Sequence, residues 1–344
     1  MSWRRTKVTN SFSAAPLPID SPTDTCVNPL LSLAFQLIAC RWGFCKMKNW
    51  SRLSILSIFL TLVFTYKSNA CNWNCGGTYI DGNDFVLKAP SHSGFEKHAF
   101  YNMPKKQHSY EYIEEKSMAR AGSFYQRFEL REGDCFPSPK GGWNDCKTDR
   151  ERFELSSKPR QKPEGKQCYG YSLMLDEKFR SVHPTNTDLG QVHQTGGPTG
   201  NAGGFKSFPP LIQIGAKYDK LIFGWHELTG DENNITDDKR QFELAKISDM
   251  KGVWTDISFC LDFQNKRLDA WVNGEKKVEI LRSPINFKPD KIYFKYGIYR
   301  SFVSRYKNIH GAIPTQIAYY DEVRRGNSIE KVDRNINPDL KAVD

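Results

Sequence analysis

Short segments in which apolar and polar residues alternate, separated by turn-forming residues, dominate the chain. The clearest runs from Asp256 to Phe263, where Ile257, Phe259, Leu261 and Phe263 face one way and Asp256, Ser258, Cys260 and Asp262 the other. After a polar turn at Gln264-Asn265-Lys266, the residues Leu268, Ala270 and Val272 alternate again. Asn273-Gly274 is a strong two-residue hairpin signal, and Val278 and Ile280 continue the returning strand. Three consecutive antiparallel strands at this spacing predict a sandwich or jelly roll. No repeat of 20 to 50 residues and no long amphipathic helix pattern competes with this all-β expectation.

Other stretches read as irregular. Residues Gly94 to Met118 are aromatic and charged without clean periodicity, and Lys158 to Lys166 is a polar loop holding two prolines. The Gly-rich run Thr195 to Gly204 predicts a flexible loop beside a binding site, and it lacks the Lys-Ser/Thr ending of a phosphate loop. Residues after Arg325 read as a polar tail.

Three segments set ionisable side chains on one strand face and apolar ones on the other. In Arg152-Phe153-Glu154-Leu155 the core takes Phe153 and Leu155, leaving Arg152 and Glu154 outward. In Gln191-Val192-His193 the core residue is Val192. In the run Tyr293 to Arg300, the residues Tyr293, Lys295, Gly297 and Tyr299 share a face opposite Phe294, Tyr296 and Ile298. Gly297 leaves room between Lys295 and Tyr299, whose Cα atoms are roughly 13 Å apart at strand rise.

The N-terminal part carries a different signal. Met47-Lys48-Asn49-Trp50-Ser51-Arg52 is followed by the apolar run Leu53 to Phe64 and then Ser68-Asn69-Ala70, the pattern of a secretory signal peptide over 47–70. The run is short of the roughly 20 apolar residues that span a bilayer, so no stable membrane association is expected. Residues 1–46 show no core periodicity and read as a non-native or disordered leader, with Met47 the expected initiator; residues 71–344 then form one domain, secreted or periplasmic. Residues 1–70 hold eight of the 49 Lys and Arg and two of the 39 acidic residues, so the remainder has 41 basic against 37 acidic residues, a net +4. That excess is far from the basic stripe of a nucleic-acid binder, and no nucleic-acid partner is expected.

Of nine cysteines, six follow the signal: Cys71, Cys75, Cys135, Cys146, Cys168 and Cys260. An even count in an exported chain favours disulfides, and about 15 connectivities are open to six cysteines. Cys71 with Cys75 and Cys135 with Cys146 would close short local loops, leaving Cys168 and Cys260. Zinc is the poorer reading, because no His or second Cys pair sits at ligand spacing.

The three ionisable segments resemble the motifs of jelly-roll polysaccharide lyases, the group holding alginate lyases, glucuronan lyases and heparinase-type lyases. Those enzymes carry an Arg-x-Glu-Leu strand, a Gln-x-His strand and a Tyr-Phe-Lys-x-Gly-x-Tyr strand, in the order found here, and the resemblance covers roughly Phe124 to Tyr320. The run Arg127-Phe128-Glu129-Leu130-Arg131, with Gly133-Asp134-Cys135 after it, is similar to a strand of the glucuronan and heparinase-like branch. One departure stands out: Tyr299-Arg300 replaces the Tyr-Asn-Gln usual in alginate lyases. The resemblance implies a β-jelly roll of the concanavalin A-like kind with a polar concave groove, acting by β-elimination on an anionic, uronic-acid-containing polysaccharide, with a glucuronan-like polymer favoured. No cofactor is required, and a structural Ca²⁺ stays open through the heparinase-type resemblance, although no Asp-rich ligand loop supports it.

Such chemistry needs these residue types. Removing the C5 proton of a uronate builds a second negative charge beside its carboxylate, so donors must first neutralise that carboxylate. Arg152, Gln191 and His193 are the candidates, with Lys295 beside them. Tyr299 is the expected acid toward the leaving O4, and either Tyr299 or His193 the base. A tyrosine with its ordinary pKa near 10 is a poor base at neutral pH, so cations such as Lys295 and Arg152 would have to favour the phenolate. Arg127, Glu154, Tyr293, His226 and Arg300 are expected to contact substrate, His226 without an evident partner. Two rivals are carried. A sandwich-fold hydrolase needs paired carboxylates roughly 5 to 9 Å apart, yet no Glu-x-Asp-x-x-Glu motif occurs and Glu151 and Glu154 fall on opposite strand faces. A lectin-like binding module would not need all three ionisable faces together.

Overall fold

The alternation of apolar and polar residues is realised as two antiparallel sheets packed face to face. The computed structural model describes residues 106–136, 144–195, 209–230, 235–286 and 289–344, together with the backbone of three short strands at 79–80, 85–87 and 97–101. All lie within one unit, Asn69–Asp344. The expected leader (1–46) and signal segment (47–70), Cys71 with Cys75 and the Gly-rich run beyond Thr195 fall outside the described residues.

Numbered in chain order, the first sheet has nine strands: β1 (Tyr79–Ile80), β2 (Phe85–Leu87), β3 (Lys97–Tyr101), β6 (Arg150–Lys158), β15 (Lys291–Ser301), β8 (Asn186–Thr195), β9 (Ile212–Lys217), β10 (Lys220–Gly230) and β11 (Ile235–Lys246), in that spatial order. The second has seven: β14 (Glu275–Ile280), β13 (Arg267–Val272), β12 (Thr255–Asp262), β7 (Lys166–Leu175), β16 (Gln316–Gly326), β5 (Phe124–Leu130) and β4 (Tyr110–Glu114). Non-consecutive neighbours in both sheets give the crossed connections of a jelly roll. The hairpin read from Asn273-Gly274 forms as expected, with both residues at positive φ (49° and 80°).

The core fills the space between the sheets with Phe128, Phe153, Phe259, Phe294, Tyr296 and Tyr320, all buried. Each such side chain contributes roughly 1.5–3 kcal/mol by leaving water. Three expectations need correction. Residues 94–118 contain strands β3 and β4, whose backbones pair with β6 and β5 although the sequence shows no clean alternation there. The residues after Arg325 are no loose tail: Val332 and Asp333 are buried, and Ser258 Oγ donates to Asp333 at 2.6 Å. A helix unforeseen in the sequence, α1 (Val303–His310), follows β15.

Among the described residues two disulfides are present, Cys135–Cys146 and Cys168–Cys260. The second joins directly opposed residues of β7 and β12. The first ties Cys146, which follows Asp145 and shortly precedes β6, to Cys135.

A register shift shapes the middle of the first sheet. Between Asp188 and Gly190 strand β8 slips against β9, and between Tyr296 and Tyr299 strand β15 slips against β8. Gly297 sits here at φ +121°, and a Cβ on it would lie 2.3 Å from the Phe153 carbonyl oxygen. The glycine is therefore imposed by backbone conformation and close strand approach, and a Cβ here would press on the core ring of Phe128 at 2.9 Å, so the sequence's expectation that it clears space on the polar face does not follow. Tyr320 Oη, from the second sheet, lies 2.8 Å from the Leu189 carbonyl and 2.9 Å from that of Gly297, giving those irregular carbonyls a donor.

Candidate active site

The face of the nine-stranded sheet turned away from the core carries a buried charged cluster. Strand alternation places Phe153 and Leu155 in the core and Arg152 and Glu154 on the opposite face, as the sequence implied. That face is not solvated: Arg152 is 4% exposed, Glu154 1% and Lys295 2%. Burying such groups is tolerable only when each is paired. Arg152 donates to both oxygens of Asp145, at 2.8 and 2.7 Å, a bidentate pair that fixes the guanidinium plane. Glu154 sits at the centre, 3.3 Å from Arg152 Nη1 and 3.2 Å from Lys295 Nζ, and it accepts a hydrogen bond from Gln191 Nε2. Cross-strand register explains the convergence, since Glu154 lies opposite Gly297 and Lys295 lies opposite Gln191. Burial lowers the Lys295 pKa, with Glu154 as the main opposing influence.

Tyr299 lies one row along, opposite Arg152 on one side and Asp188 on the other. The Arg152 guanidinium carbon is 4.1 Å from the centre of its ring, and Arg150 Nε donates to its hydroxyl at 2.9 Å. Burial raises the Tyr299 pKa, and the two arginines pull against that rise without cancelling it. The requirement that cations outweigh burial is thus not met in the unliganded protein, and Tyr299 rests as a phenol, a proton donor.

Asp188 was not foreseen. Counted by twos from Gln191 it belongs on the apolar face, and only the register shift turns it to the polar one. Burial, reinforced by the nearby charge of Glu154, raises its pKa to about 7. Arg150 and Asp145 were missed for different reasons. Arg150 lies on the same strand face as Arg152, two residues earlier, a signal available in the sequence. Asp145 arrives from outside the strand, held by the Cys135–Cys146 bridge.

His193 stands opposite Tyr293, with ring centres 5.8 Å apart and nearly parallel planes. Burial together with the positive charge of Lys295 pushes its pKa down to about 3, so the imidazole is neutral at physiological pH. Its Nδ1 lies 3.0 Å from both the backbone nitrogen and the carbonyl oxygen of Gln194. Tyr293 is covered by Arg160, whose guanidinium carbon is 4.4 Å from the ring centre.

His226 has partners after all. It is buried on β10, with Nδ1 2.8 Å from Asp237 and Nε2 2.7 Å from Gln213 Oε1; Gln213 Nε2 in turn donates to Asp188 at 3.0 Å. His226 therefore connects to the cluster through a neighbour on β9. Burial is the main cause of its lowered pKa.

Two expected substrate contacts are not brought to this face. Arg300 is fully buried on the other side of β15, its Nη2 2.5 Å from Glu151 and its Nη1 donating to the Pro314 carbonyl. Arg127 lies on β5 of the other sheet, paired with Glu129. The alternation that put Phe128 and Leu130 in the core sent it to the opposite exterior of the sandwich. Among the described residues, no group of three or more His, Cys, Asp or Glu side chains gathers as a metal site, so no residue can be named to hold the calcium that the resemblance left open. Also among the described residues, no helix is long and apolar enough to cross a membrane.

A family model described as polysaccharide lyase matches residues 92–324. Among solved structures, an endo-β-1,4-glucuronan lyase from the fungus Trichoderma reesei superposes with a TM-score of 0.50 at 17% identity, covering 68% of this chain and 92% of that one. The alginate lyase AlyC3 superposes with a TM-score of 0.40 at 14% identity, over 59% of this chain and 74% of its own. The family 7 alginate lyase A1-II′ gives 0.42 at 14% identity, over 65% and 84%. No curated protein matches the chain.

Proposed function

The chain belongs to the polysaccharide lyase family, and on that premise we propose that it cleaves a uronic-acid-containing polysaccharide by β-elimination, leaving an unsaturated uronate end. The observation that carries this reading is the Arg152, Gln191, Lys295 and Tyr299 constellation on one sheet face, with its charges balanced by Asp145 and Glu154. In this reading Arg152, Gln191 and His193 supply the donors that neutralise the uronate carboxylate, while Asp145 and Glu154 hold two of them in orientation. Preorganised donors of this kind need no rearrangement when charge develops on the substrate.

Tyr299 donates its proton to the leaving O4. The arginines at 150 and 152 then stabilise the phenolate that results, which makes Tyr299 a stronger acid at the moment of transfer than burial alone would allow. Where the C5 proton lies on the far face of the ring, His193 is the base instead of a donor, accepting through the ring nitrogen that carries no proton, with burial and Lys295 keeping it a weak one; in a syn elimination Tyr299 first releases its resting phenolic proton to solvent, then takes the C5 proton and passes it to O4. A glucuronan-like polymer is the favoured substrate, since Tyr299-Arg300 departs from the alginate-lyase ending and the superposing T. reesei enzyme is a glucuronan lyase. Export completes the proposal, supported by two disulfides, which persist in oxidising compartments. The test is Tyr299→Phe, expected to lower turnover at least 100-fold while polymer binding survives. Retained turnover would remove Tyr299 from the mechanism.

A further inference from the structure

The two disulfides differ in reach. Cys168 and Cys260 are 0% and 1% exposed, packed with Trp271, Ile329 and Val332. Cys146 is exposed and Cys135 half-buried, and both line a cleft of about 230 Å³ between the start of β6 and α1, where Arg150, Val303 and Lys307 form other walls. A disulfide is reduced through attack by a thiolate, which must reach one of its sulfurs. The cleft gives that access to one bridge, and the core denies it to the other.

The reachable bridge joins two segments that each hold Arg152. Asp134, the residue before Cys135, accepts the Arg152 backbone N–H on its carbonyl at 3.1 Å. Asp145, the residue before Cys146, takes the Arg152 guanidinium on its two carboxylate oxygens at 2.8 and 2.7 Å. The Asp145 carbonyl also accepts from Arg150 N at 3.0 Å, and Arg150 Nε donates to the Tyr299 hydroxyl at 2.9 Å. A backbone hydrogen bond from Asp145 N to the Phe136 carbonyl, at 3.0 Å, runs alongside the bridge. Asp134 is anchored independently, with its carboxylate 2.9 Å from Lys106 Nζ and 2.8 Å from His108 Nε2. Opening the bridge therefore acts on the Asp145 side, and through it on both arginines that touch Tyr299.

We propose that Cys135–Cys146 is a redox switch on the Arg152 geometry and, through it, on turnover: the closed bridge fixes Arg152 and Arg150 beside Tyr299, and a dithiol that opens it turns elimination off. One thiolate of the dithiol attacks a bridge sulfur and the other bridge sulfur leaves as a thiolate. The second thiol of the reductant then displaces the protein sulfur, so the protein gains two electrons and two protons and the reductant departs as a disulfide. Closure runs the same exchange backwards, with a disulfide oxidant taking up the two electrons. A chain made in a reducing compartment is thus inactive until it reaches an oxidising one, in keeping with the export reading.

The rate readout rests on the elimination reading, whereas thiol mapping and hydrogen exchange do not. The full chain is incubated under native conditions with dithiothreitol, its free thiols are alkylated and mapped by mass spectrometry, and turnover, melting and backbone exchange over residues 150–152 are followed together. The proposal expects Cys135 and Cys146 to be labelled while Cys168 and Cys260 stay bridged, with the cooperative melting transition retained. Turnover should fall at least tenfold, exchange over 150–152 should rise at least tenfold, and oxidised glutathione should restore both. Cys135→Ser/Cys146→Ser should begin in the low-activity state and ignore the dithiol, whereas Cys168→Ala/Cys260→Ala should keep the full response, which assigns the effect to this bridge. A bridge that resists the dithiol until the protein unfolds overturns the proposal, as does a reduced protein with unchanged turnover and exchange. Faster exchange on reduction in a protein that eliminates no polymer would refute the proposed reaction and leave the redox control of Arg152 standing.

Discussion

Replacing Glu154 by Gln removes the carboxylate that Arg152, Gln191 and Lys295 share. At 3.2 Å from Lys295 Nζ, a unit charge pair at an effective dielectric near 20 has a gross attraction of about 5 kcal/mol. Part of that only offsets the cost of burying both ions, so the measurable loss is that of breaking a buried pair, roughly 3–5 kcal/mol. Lys295 is buried and its pKa already lowered, so the variant should shed the lysine proton at a lower pH than the wild type. Arg152 keeps its bidentate partner Asp145 and should stay in place. The assay is urea unfolding of wild type, Glu154→Gln, Lys295→Met and the double variant, with slopes compared to confirm that the same transition is followed. Removing both charges leaves neither unpaired, so the double variant should lose less than the sum of the singles by roughly 1–3 kcal/mol. Strictly additive losses, or a Glu154→Gln variant as stable as the wild type, would refute the buried-cluster reasoning.

Two other perturbations separate stability from activity. Opening Cys168–Cys260 by substituting both with Ala releases a 92-residue constraint and should cost about 4–5 kcal/mol on loop entropy, with turnover retained below the melting transition because the bridge lies in the other sheet. Opening Cys135–Cys146, 11 residues apart, should cost less, about 3 kcal/mol, yet reduce turnover because Asp145 is freed from Arg152; melting curves and rates measured together check both. Asp188, with its pKa raised to about 7, binds a proton in the folded protein that the unfolded chain releases near pH 4. Its contribution to stability therefore falls as pH rises through that window, by up to roughly 4 kcal/mol. Asp188→Asn should be relatively more stable than wild type at pH 8 than at pH 4, and an unchanged difference would contradict the assignment.

Much of this was legible from alternation alone. Periods of two located the core faces of β6, β12, β13 and β15, and the Asn273-Gly274 pair fixed a hairpin, because these depend on local backbone geometry and on one side of a strand facing apolar neighbours. The same rule placed Arg152, Glu154, Gln191, Lys295 and Tyr299 on one face. It failed where periodicity is broken: the shift at Leu189 and Gly190 turns Asp188 to the polar side, and no count along the chain foretells it. It also says nothing of which sheet a strand joins, so Arg127 looked equivalent to Arg152 although it sits on the far exterior. Arg300 was misplaced by analogy, since alternation from Tyr299 already sends it inward. Nor could a single strand reveal that its outward charges would be buried, because the covering residues, Asp145 among them, come from loops and neighbouring strands.

The central claim is elimination at a uronate, and the most direct measurement is ultraviolet absorbance during incubation of the protein with glucuronan, alginate and heparin-type polymers. Absorbance of a new unsaturated uronate should rise with at least one polymer, glucuronan first, and stay flat with Tyr299→Phe. Flat traces on every polymer accompanied by rising reducing ends would mean hydrolysis and contradict the account.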